Sequence, residues 1–506
     1  MRFENLLKQT FKLNEFRQGQ REIISSVLNK KDVLAVLPTG GGKSLCYQFS
    51  AIYLQKLVIV ISPLIALMKD QVASMQRLGI PSGALHSGQS DIEKKSIFQQ
   101  MNLGGPFILY LSPERAQKEG FHKWIKTQDV GLFAIDEAHC VSQWGHDFRE
   151  EYAQLSSLKE LRPDVPILAL TASATPTVLR DISSHLKLNK PDKMVYGFYR
   201  PNLYYQVETC ADEEMKISLL LQALNQNPTG RVLVYCGTRK TTEEIASFLQ
   251  KKIPGTGYYH AGLSSEERNS TQQDYIQGKL RVLVATNAFG MGIDQPDVRL
   301  VVHYQMPANI DSLYQEMGRA GRDGLNSTCL MLYARKDKGL QSYFIQSSDA
   351  PSRIKDSRWK TLESLVNYSE GSECRHTEIL TYYKDSQRIE QCGHCDVCDP
   401  QSYRRVIKPA PPVKQSQTVL KKKKSAQTEL KLNTVEEQRF LTLKKWRKQK
   451  AKELDSPAFV IFSDQTLRQL AIQNPQNITQ LRTIYGIGEA KLEKFGWDVL
   501  AELKNS

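Results

Sequence analysis

The sequence has no apolar run long enough to cross a bilayer. Its longest, Leu57 to Met68, falls short of the ~20 residues a helical span needs and is broken by Pro63. No apolar stretch follows the opening Met-Arg-Phe-Glu, so no secretory leader is expected. Cysteines are few and odd in number, nine in 506 residues, which argues against a disulfide framework. These absences point to a cytoplasmic chain without membrane association. Acidic residues are also in deficit, 54 against 68 Lys plus Arg, for a formal charge of +14. That excess fits plain solubility, and equally a polyanionic partner, since basic surface gains affinity by releasing counterions from phosphates. An apolar content of 40% is ordinary, and the length allows two or three domains, each with its own core.

Short β-branched runs alternate with helical stretches over residues 1–204. They include Asp32 to Val36, Leu57 to Ile61, Gly131 to Ile135 and Ile167 to Leu170. Continuously apolar strands are buried on both faces, which predicts an α/β unit with a parallel sheet covered by helices. The pattern returns over 205–340, with Arg231 to Tyr235, Arg281 to Ala285 and Leu300 to His303. A cysteine-bearing segment follows over 341–402. Residues 403–432 hold Pro409, Pro411, Pro412 and Lys421 to Lys424 with few large apolar groups, a composition expected of a flexible basic linker. Over 433–506 helical spacing resumes at Leu441, Leu443 and Trp446, then Phe459, Val460, Ile461, Leu467 and Leu470, predicting a small all-α unit.

Leu37-Pro-Thr-Gly-Gly-Gly-Lys-Ser44 lies between a predicted strand and a predicted helix. Glycines let backbone amides close around phosphate oxygens, and a helix N-terminus adds positive potential. Thr39, Gly40, Gly41 and Gly42 would form the cradle, Lys43 would reach the outer phosphates, and Ser44 would ligate Mg²⁺. The strict phosphate-loop pattern has Gly where Leu37 stands. Asp136-Glu-Ala-His139 follows another strand, where Asp136 would hold Mg²⁺ and Glu137 would orient the attacking water. Standing alone, such a pair would be read first as a helix cap. In the second α/β unit, Arg319 and Arg322 are three residues apart, which on a helix shares a face. Guanidinium suits the charge that spreads over a transferring phosphoryl group.

Cys374 is followed by seventeen residues and then Cys392-Gly-His-Cys395-Asp-Val-Cys398. That spacing predicts a closed Cys₄ Zn²⁺ site with a structural role, with His376 and His394 not needed to complete the tetrahedron.

These strings, together with Phe16-Arg-Gln-Gly-Gln20, Cys140 to Arg149, Thr171-Ala-Ser-Ala174, Tyr259-His-Ala-Gly262, Ala285 to Asp294 and Tyr314 to Gly324, resemble superfamily 2 helicases and, within them, the RecQ family. The resemblance covers about 11–400 and resumes from about 433. It implies two RecA-like lobes with ATP between them. It also implies adenine recognition by Arg17 and Gln20, Arg322 as arginine finger, and Gln315, Arg319 and Asp294 at the same interface. Leu13 stands where relatives often carry an aromatic residue, and Ser173 where Thr is common. Trp144, His146, Phe148 and Arg149 fall in the family's aromatic-rich, DNA-sensing loop; their polar surroundings argue against a role as core. Ser62 to Ile65 and Ser112 to Arg115 match loops that touch the DNA backbone.

By resemblance, the activity is ATP-driven 3′ to 5′ unwinding of DNA in recombination and repair. The partners would be single-stranded and duplex DNA, single-strand-binding protein and other recombination proteins, and the chain would be monomeric. The terminal unit resembles an HRDC domain. The short linker leaves no room for the winged helix that follows the zinc module in longer relatives, nor for its strand-separating hairpin. Two other readings are an RNA helicase on the same lobes and a scaffold with a degenerate motor; intact Lys43, Asp136, Glu137 and Arg322 oppose the second.

Overall fold

The computed structural model describes residues 3–86, 88–144, 148–290, 295–385, 387, 389–407, 433–453, 461–462, 464–484, 487 and 489–504. Two compact units are present, one carrying two sheets and the cysteine segment, the other the C-terminal helices.

The first sheet contains β1 (Val33–Val36), β2 (Leu57–Ile61), β3 (Ser82–Leu85), β4 (Phe107–Leu111), β5 (Val130–Ile135), β6 (Ile167–Thr171) and β7 (Asp192–Val195), in the order β3-β4-β2-β5-β6-β1-β7. Every pairing is parallel. The central strands β2 and β4 are apolar throughout because both their faces are covered: all their residues are buried. Each such aliphatic or aromatic side chain contributes about 1.5–3 kcal/mol of burial free energy. Helix Lys43–Leu54 covers one face, with Cys46, Tyr47, Phe49 and Ala51 in the core.

The second sheet contains β8 (Leu203–Thr209), β9 (Arg231–Tyr235), β10 (Thr256–Tyr259), β11 (Val282–Ala285), β12 (Val298–His303) and β13 (Ser327–Tyr333), in the order β10-β11-β9-β12-β13-β8 and again all parallel. The outer edge of β8 would present unpaired backbone groups, and the cysteine segment covers it. Asp396 N donates to Tyr205 O (3.0 Å) and Val207 N donates to the Asp396 carboxylate (2.9 Å). Further along, Gln206 exchanges two hydrogen bonds with the backbone of Val406, which is buried in the lobe core. Residues 403–407, read from composition as the start of the linker, are therefore anchored to β8. The remainder of that linker, 408–432, lies outside the described residues.

The second unit consists of helices Thr434–Glu453, Asp464–Gln473, Ile478–Leu481 and Glu489–Lys504 around Leu443, Trp446, Phe462, Leu467, Leu470 and Phe495. One member of the expected apolar stripe falls off the buried face. Leu443 and Trp446, three apart, are buried, whereas Leu441 is 52% exposed. Phe459 and Val460 lie outside the described residues. Among the described residues no helix is long and apolar enough to cross a membrane.

Candidate ATP site and nucleic-acid interface

The loops that carry chemistry leave the carboxyl ends of β1, β2, β5 and β6, where ligands of open parallel sheets bind. The phosphate loop spans 37–42, and helix Lys43–Leu54 begins at Lys43. Gly42 has φ 74°, a conformation that favours glycine, and a Cβ there would displace the Gln20 amide from its place beside the loop. Asp136 directly follows β5 and is held by its own N–H to Ile61 O (2.9 Å) and by the Tyr152 hydroxyl donating to its carbonyl (3.0 Å). Burial raises the Asp136 carboxyl well above its ordinary range; neighbouring Glu137 adds to the shift and the Lys43 ammonium opposes it. Glu137 adopts φ 49°, and its Oε2 is buried without a hydrogen-bond partner among the described residues, 3.4 Å from His139 Nδ1. His139 Nδ1 in turn lies 2.9 Å from Thr171 Oγ1, which donates to Ser173 O. The carboxylate pair is thus tied to Thr171-Ala-Ser-Ala174.

The second lobe faces these groups across a cleft of about 430 Å³. Arg17, Thr39, Gly40, Gly42, Lys43, Ser44, Asp136 and Glu137 line it from one lobe, and Gln315, Arg319 and Arg322 from the other. Gln315 Nε2 crosses to Ser173 Oγ (3.3 Å). A Cβ on Gly40 would meet Arg322 Cγ at 3.2 Å, and one on Gly318 would meet Thr39 Cβ at 3.0 Å, so the phosphate loop and the arginine segment are in direct contact. The arginines are not on a helix. Helix Ile310–Met317 ends at Gly318, and a turn with Gly321 at φ 55° carries both. Its two glycines interrupt the helical spacing without removing either guanidinium from the cleft.

Gln20 is buried beside the phosphate loop. Its amide donates to Gly42 O (2.9 Å) and Gly41 O (3.2 Å) and accepts from Arg17 N (2.8 Å), so it braces the loop. Gly41 is outside the cleft lining, and Asp294 lies outside the described residues. Sequence reasoning missed Leu67, Gln71 and Pro296, which also line the cleft, and Arg200, which bonds to both lobes. No local pattern marks these positions.

The aromatic-rich loop follows the carboxylates. Phe148 is exposed, and Trp144 is half-buried with the Arg353 guanidinium 4.7 Å above its ring. Arg149 Nη1 donates to Pro63 O (3.2 Å), linking this loop to the one after β2. His146 lies outside the described residues, as do Tyr485, Gly486 and Gly488 of the terminal unit.

Cys374, Cys392, Cys395 and Cys398 place their sulfurs within 4.8 Å of one another. Zn–S bonds of ≈2.3 Å in a tetrahedron require sulfurs about 3.8 Å apart, so the set fits Zn²⁺. Hydrogen bonds with Cys392 and Cys395 hold the Cys374 thiol well below its ordinary range, and contact with Cys374 raises the other two. The Nε2 of His376 lies 3.1 Å from Leu203 O, its ring stacks on Tyr205, burial lowers its pKa to about 3, and a donor atom of it also lies within 4.8 Å of Cys392 Sγ and of His394.

Two RecA-like lobes meeting at a phosphate loop, an acidic pair and an arginine-bearing turn define a superfamily 2 helicase motor. Residues 17–182 match the DEAD/DEAH box helicase family, 215–324 the helicase conserved C-terminal domain, 335–399 the RecQ zinc-binding family and 436–503 the HRDC domain. The ATP-dependent DNA helicase RecQ of Bacillus subtilis is 33% identical, with 99% of this chain and 98% of that protein covered. RecQ of Haemophilus influenzae is 40% identical over 78% of this chain and 63% of its own length, so this chain spans less than two thirds of that relative. A protein of Acanthamoeba polyphaga mimivirus, provisionally named an ATP-dependent RNA helicase, is 41% identical over 78% of this chain and 72% of its own length. The chain belongs to the RecQ family. The Bacillus alignment runs over 587 positions against 506 residues here, so that relative carries residues with no counterpart in this chain.

Proposed function

We propose that this chain is an ATP-dependent DNA helicase that moves 3′ to 5′ on single-stranded DNA and separates duplexes in recombination and repair. One observation carries the reading: groups for binding, activating and neutralising a phosphoryl transfer come from both lobes to one cleft. Lys43 binds the outer phosphates, and Glu137 orients the attacking water. Ser44 and Asp136 are the residues that would hold Mg²⁺, which when bound neutralises phosphate charge. Arg17 takes the base side of the cleft while Gln20 fixes the loop beneath it. Arg319 and Arg322 supply positive charge only while the lobes are together, which ties hydrolysis to closure. Cys374, Cys392, Cys395 and Cys398 hold Zn²⁺, which braces the cover on β8.

The test is a duplex with a 3′ single-stranded tail, ATP and Mg²⁺. Strand release is expected, absent with a 5′ tail and absent in Lys43→Ala. ATP turnover without release would instead mark a translocase that needs the missing winged helix for separation. The mimivirus relative's name favours a second reading with RNA as track; turnover stimulated equally by RNA would select it.

The aromatic-rich loop reports DNA to the cleft. Trp144→Ala is expected to keep nucleotide binding and lose stimulation of turnover. Its affinity for single strands should fall roughly five- to hundredfold, the equivalent of about 1–3 kcal/mol per stacked base. Fluorescence anisotropy and a coupled ATPase assay measure the two effects, and an unchanged stimulation ratio would reject the assignment.

A further inference from the structure

The connector between the two sheets, residues 196–202, is pinned to both. Tyr196 N donates to Val36 O at the end of β1 (2.9 Å), and Ser327 N of β13 donates to Asn202 O (3.0 Å). Between them Phe198 stacks on Tyr383 with centroids 4.1 Å apart and ring planes 7° apart. Arg200 sits in this stretch and reaches into the seam between the phosphate loop and the arginine-bearing turn. Its Nη1 donates to Thr39 O (3.1 Å) and, at the edge of hydrogen-bonding range, to Gly318 O (3.5 Å). Its Nη2 donates to Ala320 O (3.0 Å) and Gly321 O (3.1 Å).

We infer that Arg200 is a positioning residue for ATP hydrolysis: it clamps the Arg319–Arg322 turn to the phosphate loop and so sets where Arg322 points. The inference rests on the proposed ATPase role of the cleft. Three features support it. The four acceptors are backbone carbonyls in two segments about 280 positions apart in sequence, and a guanidinium has donors and no acceptor, in a planar fork that can serve both at once. The turn it holds contains Gly318 and Gly321, so its backbone has little intrinsic stiffness and depends on outside contacts for its shape. Both Nη atoms of Arg200 are engaged by backbone carbonyls of the loop and the turn, so it is placed to act through them. Loss of the clamp leaves Lys43 and Ser44 in place for binding but lets the turn drift, and small misplacement of a group that acts in the transition state is felt in kcat.

The experiment compares wild type, Arg200→Ala, Arg200→Lys and Arg322→Ala in full-length protein. It measures single-strand-stimulated ATP turnover, binding of a fluorescent ATP analogue, and thermal melting. Arg200→Ala is expected to lose about ten- to hundredfold in kcat with KM for ATP and analogue affinity within about threefold of wild type, the pattern of an interaction made in the transition state. Arg200→Lys, one ammonium in place of a fork, should fall between the two. Turnover by Arg200→Ala within twofold of wild type, while Arg322→Ala is inactive, would overturn the clamp and leave the ATPase reading standing. No turnover by wild type on any nucleic acid would overturn both. Unfolding of Arg200→Lys as well as Arg200→Ala would also overturn it, by making Arg200 a brace of the fold.

Discussion

Arg322→Ala is expected to lower stimulated ATP turnover by about 10³-fold or more while leaving ATP affinity within a few-fold. Arginine fingers in phosphoryl-transfer enzymes are worth 10³–10⁵ in kcat, because charge accumulates on the transferring group only on the way to the transition state. By the usual conversion that is about 4–7 kcal/mol, far more than a surface ion pair supplies. Arg322 packs against Gly40 of the phosphate loop and lines the same cleft as Lys43 and Glu137, so under the proposed ATPase role its guanidinium would be delivered from the second lobe to the transferring phosphate. Arg322→Lys should rescue little, since a point charge lacks the planar fork. Steady-state turnover and analogue binding measure the effect, and a turnover within fivefold of wild type would remove Arg322 from the finger role.

Removal of Zn²⁺, or Cys395→Ser, is expected to cost the folded state of the two-lobed unit and not merely its activity. Cys395 is fully buried, and the neighbouring Asp396 carries both the contacts to β8 and a buried ion pair with Arg375 (3.0 Å). Structural Zn²⁺ sites contribute about 10–16 kcal/mol to folding in small fingers, as much as the entire stability of a typical domain. Without the metal the thiols lose their common centre, the cover leaves β8, and an open parallel-sheet edge is exposed to other chains. Expected results are one zinc per chain by elemental analysis, and a large fall in melting temperature with aggregation after chelation. A chelated protein that melts as before and does not aggregate would rule this out.

Much of this was readable in the sequence, and the reason is local. Continuous apolar runs become buried parallel strands, and a Gly-rich turn between strand and helix is set by its own residues, as are the C-x-x-C spacings. Other features were not readable because they depend on partners far along the chain. Gln20 carries a two-pronged amide that could serve adenine or a backbone, and only the fold shows that Gly41 and Gly42 occupy it. The spacing of Arg319 and Arg322 suits a helix face, but the glycines at 318 and 321 place them in a turn. Leu441 is apolar but stands two positions before Leu443, nearly opposite it on the helix, and it is exposed while Leu443 and Trp446 are buried. Arg353 over Trp144 and Arg200 between the lobes are long-range contacts with no sequence signature.

The cover on β8 also sets an order of events during synthesis. β8 is the first strand of its sheet to leave the ribosome, yet Gln206 meets Val406 only 200 residues later. At 5–20 residues per second that interval is roughly 10–40 s. The first sheet has no such wait, because its last strand, β7, is complete at Val195, before the second sheet begins. The first lobe can therefore fold as soon as it emerges. The second must hold an open edge until its last covering residues arrive, and this nascent interval is where a chaperone would be needed most.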